Sequence, residues 1–285
     1  MVENSAIEIR LLKHSDIAAG LRLNALARWN QIEPDWERLV RLEPDGCFSA
    51  TSNGKVVGTT TTTTYGPELA WIGMVLVDPE YRRRGIAKCL MQAALEYLRQ
   101  TEVATVKLDA TQDGRPLYEG MGFRIESRVE RWQGIARAGG RSNCTTFSGS
   151  VLADLLALDR AAFSVDRSRL IEMLIADACV TPLMITGVDG SSAGYALARR
   201  GRNAVYVGPL IARTAQQAER LLDGLLEQLA GNEVYIDLNM EFENGVEILA
   251  RRGFAKQRDL DRMFYGKETS PTSRLVFAIA GPELG

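Results

Sequence analysis

The clearest chemistry in the 285-residue chain sits at positions 74–90, MVLVDPEYRRRGIAKCL. Residues 74–77 read as the end of a strand, Asp78-Pro79 breaks it, and Arg82, Arg83, Arg84, Gly85, Ile86, Ala87 and Lys88 open an amphipathic helix. The first N–H groups of a helix have no internal acceptor, and the helix dipole adds partial positive charge there. Gly85 and Ala87 are small enough to let a phosphate reach the backbone, so the segment suits a pyrophosphate. Each dipole contribution is only about 0.3–1 kcal/mol, so several N–H bonds and the arginine charge must act together. Three consecutive arginines also suit a solvated helix start or a nucleic-acid patch. A net charge of −2 speaks against the patch, and no nucleic acid is expected as a partner.

Other chemistries are thinly supplied. His14 is the single histidine, next to no nucleophile motif, which leaves it a surface or turn role. Cys47, Cys89, Cys144 and Cys179 are scattered and form no metal-ligand or disulfide pattern, so no metal is expected. The first residues lack the basic start and apolar stretch of a secretory signal, and no apolar run reaches membrane-spanning length. The expected address is cytoplasmic, with no membrane partner.

The elements that must position the 74–90 segment occur twice. Residues 71–77 (WIGMVLV) lead into the helix, then a β run at 105–110, a short helix, and Gly122-Phe123. Residues 205–211 (VYVGPLI) lead into a helix at 214–230, then 234–238, a short helix, and Gly253-Phe254, 131 positions later (253 minus 122). A period this long marks a duplicated domain. The polar, glycine-rich stretch 136–143 (ARAGGRSN) is the expected linker between domains at 1–135 and 144–285. Within the first, residues 7–12 alternate as a strand, Ser15 is an expected N-cap, and Pro34 suits the first turn of a second helix. Six threonines in a row within 56–65 favour a strand because they are β-branched. Helix 85–101 places Ile86, Cys89, Leu90, Ala93, Ala94, Tyr97 and Leu98 on one buried face, with Cys89 expected as a buried thiol. The fold class is α+β, two tandem domains, each a mixed, mainly antiparallel sheet flanked by helices.

The order strand, break, Arg82-x-x-Gly85-x-Ala87, helix, strand, then LYEGMGF at 117–123 resembles the GNAT superfamily of acyl-CoA N-acyltransferases. ARWNQ at 27–31, the LDAT…GRPLYE…GF run at 108–123, VGPLIA at 207–212 and DRMFYG at 261–266 resemble a bacterial tandem-GNAT subgroup with a degenerate second domain. The resemblance implies acetyl-CoA, or another short acyl-CoA, as co-substrate. It implies that backbone N–H groups from Arg83 to Lys88 hold the pyrophosphate. The strand edge at Met74, Val75, Leu76 and Val77 would then bind the pantetheine arm and the thioester carbonyl. It also implies Tyr118 as the acid that protonates the leaving thiolate. The second half has Leu249 at the place of Tyr118 and no glycine in residues 212–217 (ARTAQQ), at the place of Arg82–Ala87, so it is expected to be structural or to contribute to acceptor binding.

Candidates for the general base are Asp109 and Glu68, with Asp113 in a turn dipeptide. By resemblance, Trp29, Asn30, Gln31, Asp35 and Trp36 line the acceptor cleft. Two tryptophans beside carboxylates suit a cation, although Trp36 also has helical spacing from Leu39 and Val40 and could be core. The expected activity is acetyl transfer to a primary amine of a small cationic molecule: an amino sugar or aminoglycoside, a polyamine, or an amino acid; an aminoglycoside target would make it a resistance enzyme. The alternatives are a protein or peptide N-acetyltransferase and a non-catalytic acyl-CoA sensor. Monomer and homodimer both remain open.

Overall fold

Alternating apolar and β-branched residues fold into strands wherever one side of a sheet is covered, and amphipathic segments supply the cover. The computed structural model describes residues 6–139, 144–187, 190–268 and 274–285. In chain order the first half comprises β1 (Ile7–Leu11), α1 (Ile17–Ala27), α2 (Glu33–Leu42), β2 (Phe48–Ser52), β3 (Lys55–Tyr65), β4 (Leu69–Val77), α3 (Ile86–Gln100), β5 (Thr105–Ala110), α4 (Arg115–Glu119) and β6 (Arg124–Ile135). The second half continues with β7 (Thr145–Thr146), α5 (Leu152–Phe163), α6 (Ser168–Ala176), β8 (Leu183–Thr186), β9 (Ser192–Arg199) and β10 (Val205–Ala212). It ends with α7 (Ala215–Gln228), β11 (Glu233–Asn239), α8 (Gly245–Ala250), β12 (Ala255–Gly266) and β13 (Val276–Ala278).

The α+β reading holds, and the threonine run is strand β3, as its branching predicts. Among the described residues one sheet runs through both halves in the order β1-β2-β3-β4-β5-β12-β6-β11-β13-β10-β9-β8-β7. Strand neighbours pair antiparallel except β4 with β5 and β10 with β11. The halves exchange their closing strands. β12 of the second half lies between β5 and β6 of the first, and β6 pairs with β11 over residues 129–135. The sheet is thus continuous across the expected linker, of which residues 140–143 lie outside the described residues.

Buried ion pairs fasten the exchange. Arg262 on β12 donates through Nε and Nη2 to both oxygens of Asp109 on β5, each at 2.8 Å, and its guanidinium lies 4.6 Å over the Trp71 ring. Arg131 on β6 clamps Asp237 on β11 at 2.7 and 2.6 Å. Breaking such a pair from one side costs about 3–5 kcal/mol, because an uncompensated charge stays buried. Residues 279–285 then cross back over the first half: Trp71 donates to the carbonyl of Pro282 at 2.9 Å and Tyr65 to that of Leu284 at 2.7 Å.

Two local expectations are corrected. Ser15 does not cap α1; residues 14–16 form a short 3-10 turn, and the Asp16 carboxylate accepts the Lys13 N–H at 2.9 Å. Cys89 is exposed. The face of α3 that meets the sheet is set by Ile86, Leu90, Met91, Ala94 and Leu98, and Cys89 points away from that arc.

Candidate active site

β4 and β5 pair in parallel over only three residues, Leu69–Trp71 against Thr105–Lys107. Beyond Trp71 they part. β4 bulges where Thr59 and Thr61 face Leu76 and Gly73, and Met74 takes a left-handed φ of 50°. β5 turns its other edge to β12. Diverging strands leave backbone groups without ladder partners, and the gap opens a cleft of about 520 Å³. Ile72, Gly73, Met74, Val75, Leu76 and Val77 form one wall; Leu108 and Asp109 face them.

At one end of the cleft lies the start of α3. Gly85 is its N-cap, with φ 78°, and a Cβ there would meet nothing within 4 Å. No acceptor among the described residues faces the backbone N–H groups of Arg83, Gly85, Ile86 or Ala87. Arg82 and Ala87 line the cleft, and Arg82 Nε donates to the Val77 carbonyl at 3.2 Å. Arg84 is drawn aside, donating to the Glu80 carbonyl at 3.0 Å and lying 5.1 Å over the Tyr81 ring. Arg83 and Lys88 are exposed, and Ile86 is buried against Ala50, Val57 and Leu90. The turn is open, cationic and rich in free donors, which fits a diphosphate.

Tyr118 on α4 lines the cleft. Its ring packs edge-on against Phe123, centroids 6.1 Å apart. Its hydroxyl has no hydrogen-bond partner among the described residues, and burial pushes its pKa well above the ordinary tyrosine value. A phenol held protonated and unbonded is fit to donate.

The structure divides the expected acceptor residues. Trp29 and Gln31 line the cleft. Asn30 instead docks the second half, donating to the Ala204 carbonyl at 3.1 Å and accepting the Asn203 N–H at 2.9 Å. Asp35 accepts from Arg38 at 2.9 Å and from Arg199 at 3.2 Å, beside an adjoining hollow of about 10 Å³ rather than in the cleft. Trp36 is fully buried against Gly20, where α1 and α2 touch. Of the expected bases, Glu68 is exposed in the turn before β4, away from the cleft wall. Asp109 lies in the wall with both oxygens taken by Arg262. Asp113 is exposed at the rim.

Two cleft residues escaped the sequence reading. Glu283 lines both the cleft and the hollow; it accepts Gln31 Nε2 at 2.7 Å and Arg199 Nη2 at 3.3 Å. Burial, with Asp35 nearby, raises its pKa against the pull of Arg199. A Cβ on Gly73 would stand 2.8 Å from Glu283 Cα, so glycine is what lets this segment lie on β4. Arg258 of β12 is the other. Its signal was present in RDLDRM, where Arg258, Leu260 and Arg262 share one side of a strand.

The second half repeats the geometry and blocks it. β10 and β11 pair in parallel at Val205–Val207 against Val234–Ile236, then diverge, but β13 pairs with both and fills the gap. The start of α7 is closed by its own capping box: Thr214 accepts the Gln217 N–H at 3.2 Å and Gln217 accepts the Thr214 N–H at 3.1 Å. Leu249, at the place of Tyr118, is fully buried. Among the described residues no helix is long and apolar enough to cross a membrane.

A model described as the acetyltransferase (GNAT) family matches residues 20–123, and one described as an acetyltransferase (GNAT) domain matches residues 155–278. The chain is 29% identical over 288 residues to the uncharacterized N-acetyltransferase YitH of Bacillus subtilis, covering 98% of each chain. It is 28% identical over 141 residues to a glucosamine 6-phosphate N-acetyltransferase of Trypanosoma brucei brucei, which is 44% of this chain and 94% of that one. Its fold matches a crystal structure from Pyrococcus horikoshii with a TM-score of 0.84 at 23% identity, over 100% of this chain and 99% of that one.

Proposed function

The chain belongs to the GNAT acetyltransferase family, with two copies of the fold in tandem, and from that premise we propose that its first half transfers the acetyl group of acetyl-CoA to a primary amine of a small molecule by direct attack. The observation that carries this reading is one cleft lined both by the open helix start, through Arg82 and Ala87, and by Tyr118, whose hydroxyl has no internal partner among the described residues. The filled gap and closed helix start of the second half argue that only the first half binds CoA.

In this reading the free N–H groups of residues 83–87 and the Arg82 guanidinium hold the pyrophosphate. The edge of β4 from Met74 to Val77 aligns the pantetheine, and a backbone N–H at Val75 or Leu76 stabilises the oxyanion. The acceptor nitrogen bonds to the thioester carbon and the C–S bond breaks. Tyr118 gives its proton to the departing sulfur, a contribution of about 10²–10⁴-fold. Burial raises the pKa of both Asp109 and Glu283 in the cleft, and Glu283, whose oxygens are not clamped in a two-point pair, takes the proton from the ammonium. Asp109 serves as the anchor of β12 instead.

Trp29, Leu260, Pro282 and Glu283 line the cleft, so second-half elements form part of its wall. That supports a small acceptor over an extended peptide. The acceptor named for the trypanosomal relative, glucosamine 6-phosphate, supports the same class. The test is release of free thiol from acetyl-CoA against a panel of amines. Amine-dependent release is expected; absence of both release and acetyl-CoA binding overturns the reading.

A further inference from the structure

Both buried carboxylates of the cleft have side-chain partners, and one of its cations has none among the described residues. Asp109 is held by Arg262, and Glu283 by Gln31 and Arg199. Arg258 lies on the same side of β12 as Leu260 and Arg262; Arg258 and Leu260 line the cleft, and Arg262 pairs with Asp109. A register shift between Lys256 and Arg258 precedes it, the kind of bulge that re-aims a side chain beside a site. Its Nε is buried with no acceptor, and no ion pair forms at Arg258 among the described residues. The acid nearest in charge, Asp237, is already filled by Arg131 at 2.7 and 2.6 Å and by the Tyr206 hydroxyl at 3.1 Å. Burial and the neighbouring Arg131 pull the Arg258 pKa down to about 10.

Arg258 is half-buried, with its Nε shut off from water; a guanidinium partly removed from water without a counter-ion is unfavourable for folding, and a ligand anion would supply the missing charge. Its planar fork matches the two oxygens of a carboxylate or phosphate. We propose that Arg258 receives an anionic group, a carboxylate or a phosphate, carried by the amine acceptor, so that the second half completes the acceptor site through its exchanged strand. The inference rests on acyl transfer in this cleft. It makes the acceptor an amine with an anion at its other end, an amino acid or an amino-sugar phosphate, and turns away polyamines, whose second cation would face Arg258. Glu283 and Arg258, lining one cleft, suit the two ends of such a molecule.

The test uses Arg258→Gln and Arg258→Lys in the full chain. Thiol release is measured with matched pairs: α-amino acids against their methyl esters, and glucosamine 6-phosphate against glucosamine. Wild type should favour the anionic member of one pair by about 10–100-fold in kcat/KM, the scale of a charge-assisted two-point contact. The pair that discriminates tells carboxylate from phosphate. R258Q should erase that preference with the KM for acetyl-CoA unchanged, and R258K should restore part of it. The melting temperature of R258Q should not fall, since no internal bond is lost; a purely structural arginine would lower it. Independently of turnover, acetate and inorganic phosphate are titrated into protein saturated with CoA, which occupies the 82–87 turn. One of the two should bind wild type and not R258Q. Equal rates within both pairs, a preference that survives R258Q, or anion binding indifferent to R258Q overturns the proposal. Failure of acetyl-CoA to bind would instead remove the acyl-transfer reading, and the anion titration would still judge Arg258.

Discussion

Replacing Tyr118 by phenylalanine removes one oxygen and leaves the ring in place. The ring is 8% exposed and packs on Phe123 with centroids 6.1 Å apart, a contact that a bare phenyl ring would keep. The hydroxyl has no internal partner, so stability should change by no more than about 0.5 kcal/mol. Turnover should fall by about 10²–10⁴-fold, the usual worth of a placed proton donor. At about 1.36 kcal/mol per decade, that is ~2.7–5.5 kcal/mol of barrier. The helix start at Gly85 is untouched, so acetyl-CoA affinity should hold. The assay pairs steady-state thiol release with calorimetric titration of acetyl-CoA and a thermal melt. Because burial raises the Tyr118 pKa, the phenol stays protonated through neutral pH, and wild type should show no alkaline loss there from this group. Unchanged turnover, or a loss matched by a fall in melting temperature or CoA affinity, would refute the proton-donor role.

Glu283→Gln should lower kcat/KM by about 10²–10⁴-fold. In wild type the acid limb should lie above the ordinary glutamate range, because the base works only when deprotonated and its pKa is raised; a limb at or below that range counts against it. Asp109→Asn leaves Arg262 buried without its counter-ion and should destabilise the fold by about 3–5 kcal/mol in a denaturant melt. A stable but inactive Asp109→Asn would restore Asp109 as a catalytic group. Gly73→Ala places a Cβ 2.8 Å from Glu283 Cα. The segment must shift, at about 1–3 kcal/mol, and activity should drop more than acetyl-CoA affinity; full activity would show that Glu283 needs no fixed place on β4.

The duplicated plan, the strands around the threonine run and the helix start at Gly85 were legible, because each depends on local period and backbone chemistry. The strand exchange was not. β12 keeps the same alternation of residues whichever strand lies beside it, so its place between β5 and β6 is a tertiary choice. The same limit hid Arg258 and Glu283, which enter the first half's cleft from more than a hundred residues away. Asp35 and Trp36 are expected in the cleft by resemblance, yet they belong to the buried face of α2, where Asp35 answers Arg38 and Arg199. Basic residues on the inward side of a strand, as in RDLDRM, were the one local hint that something anionic was to be met there.

The most direct test is a calorimetric titration of acetyl-CoA into the intact chain and into Gly85→Glu, whose carboxylate would stand in the open turn against the diphosphate. One molecule should bind per chain, and the variant should lose it; a Cβ at Gly85 meets no neighbour, and the left-handed φ of 78° adds about 1–3 kcal/mol of strain, which a parallel thermal melt reads separately. Two sites per chain, or binding indifferent to the variant, would contradict a single diphosphate grip at the start of α3.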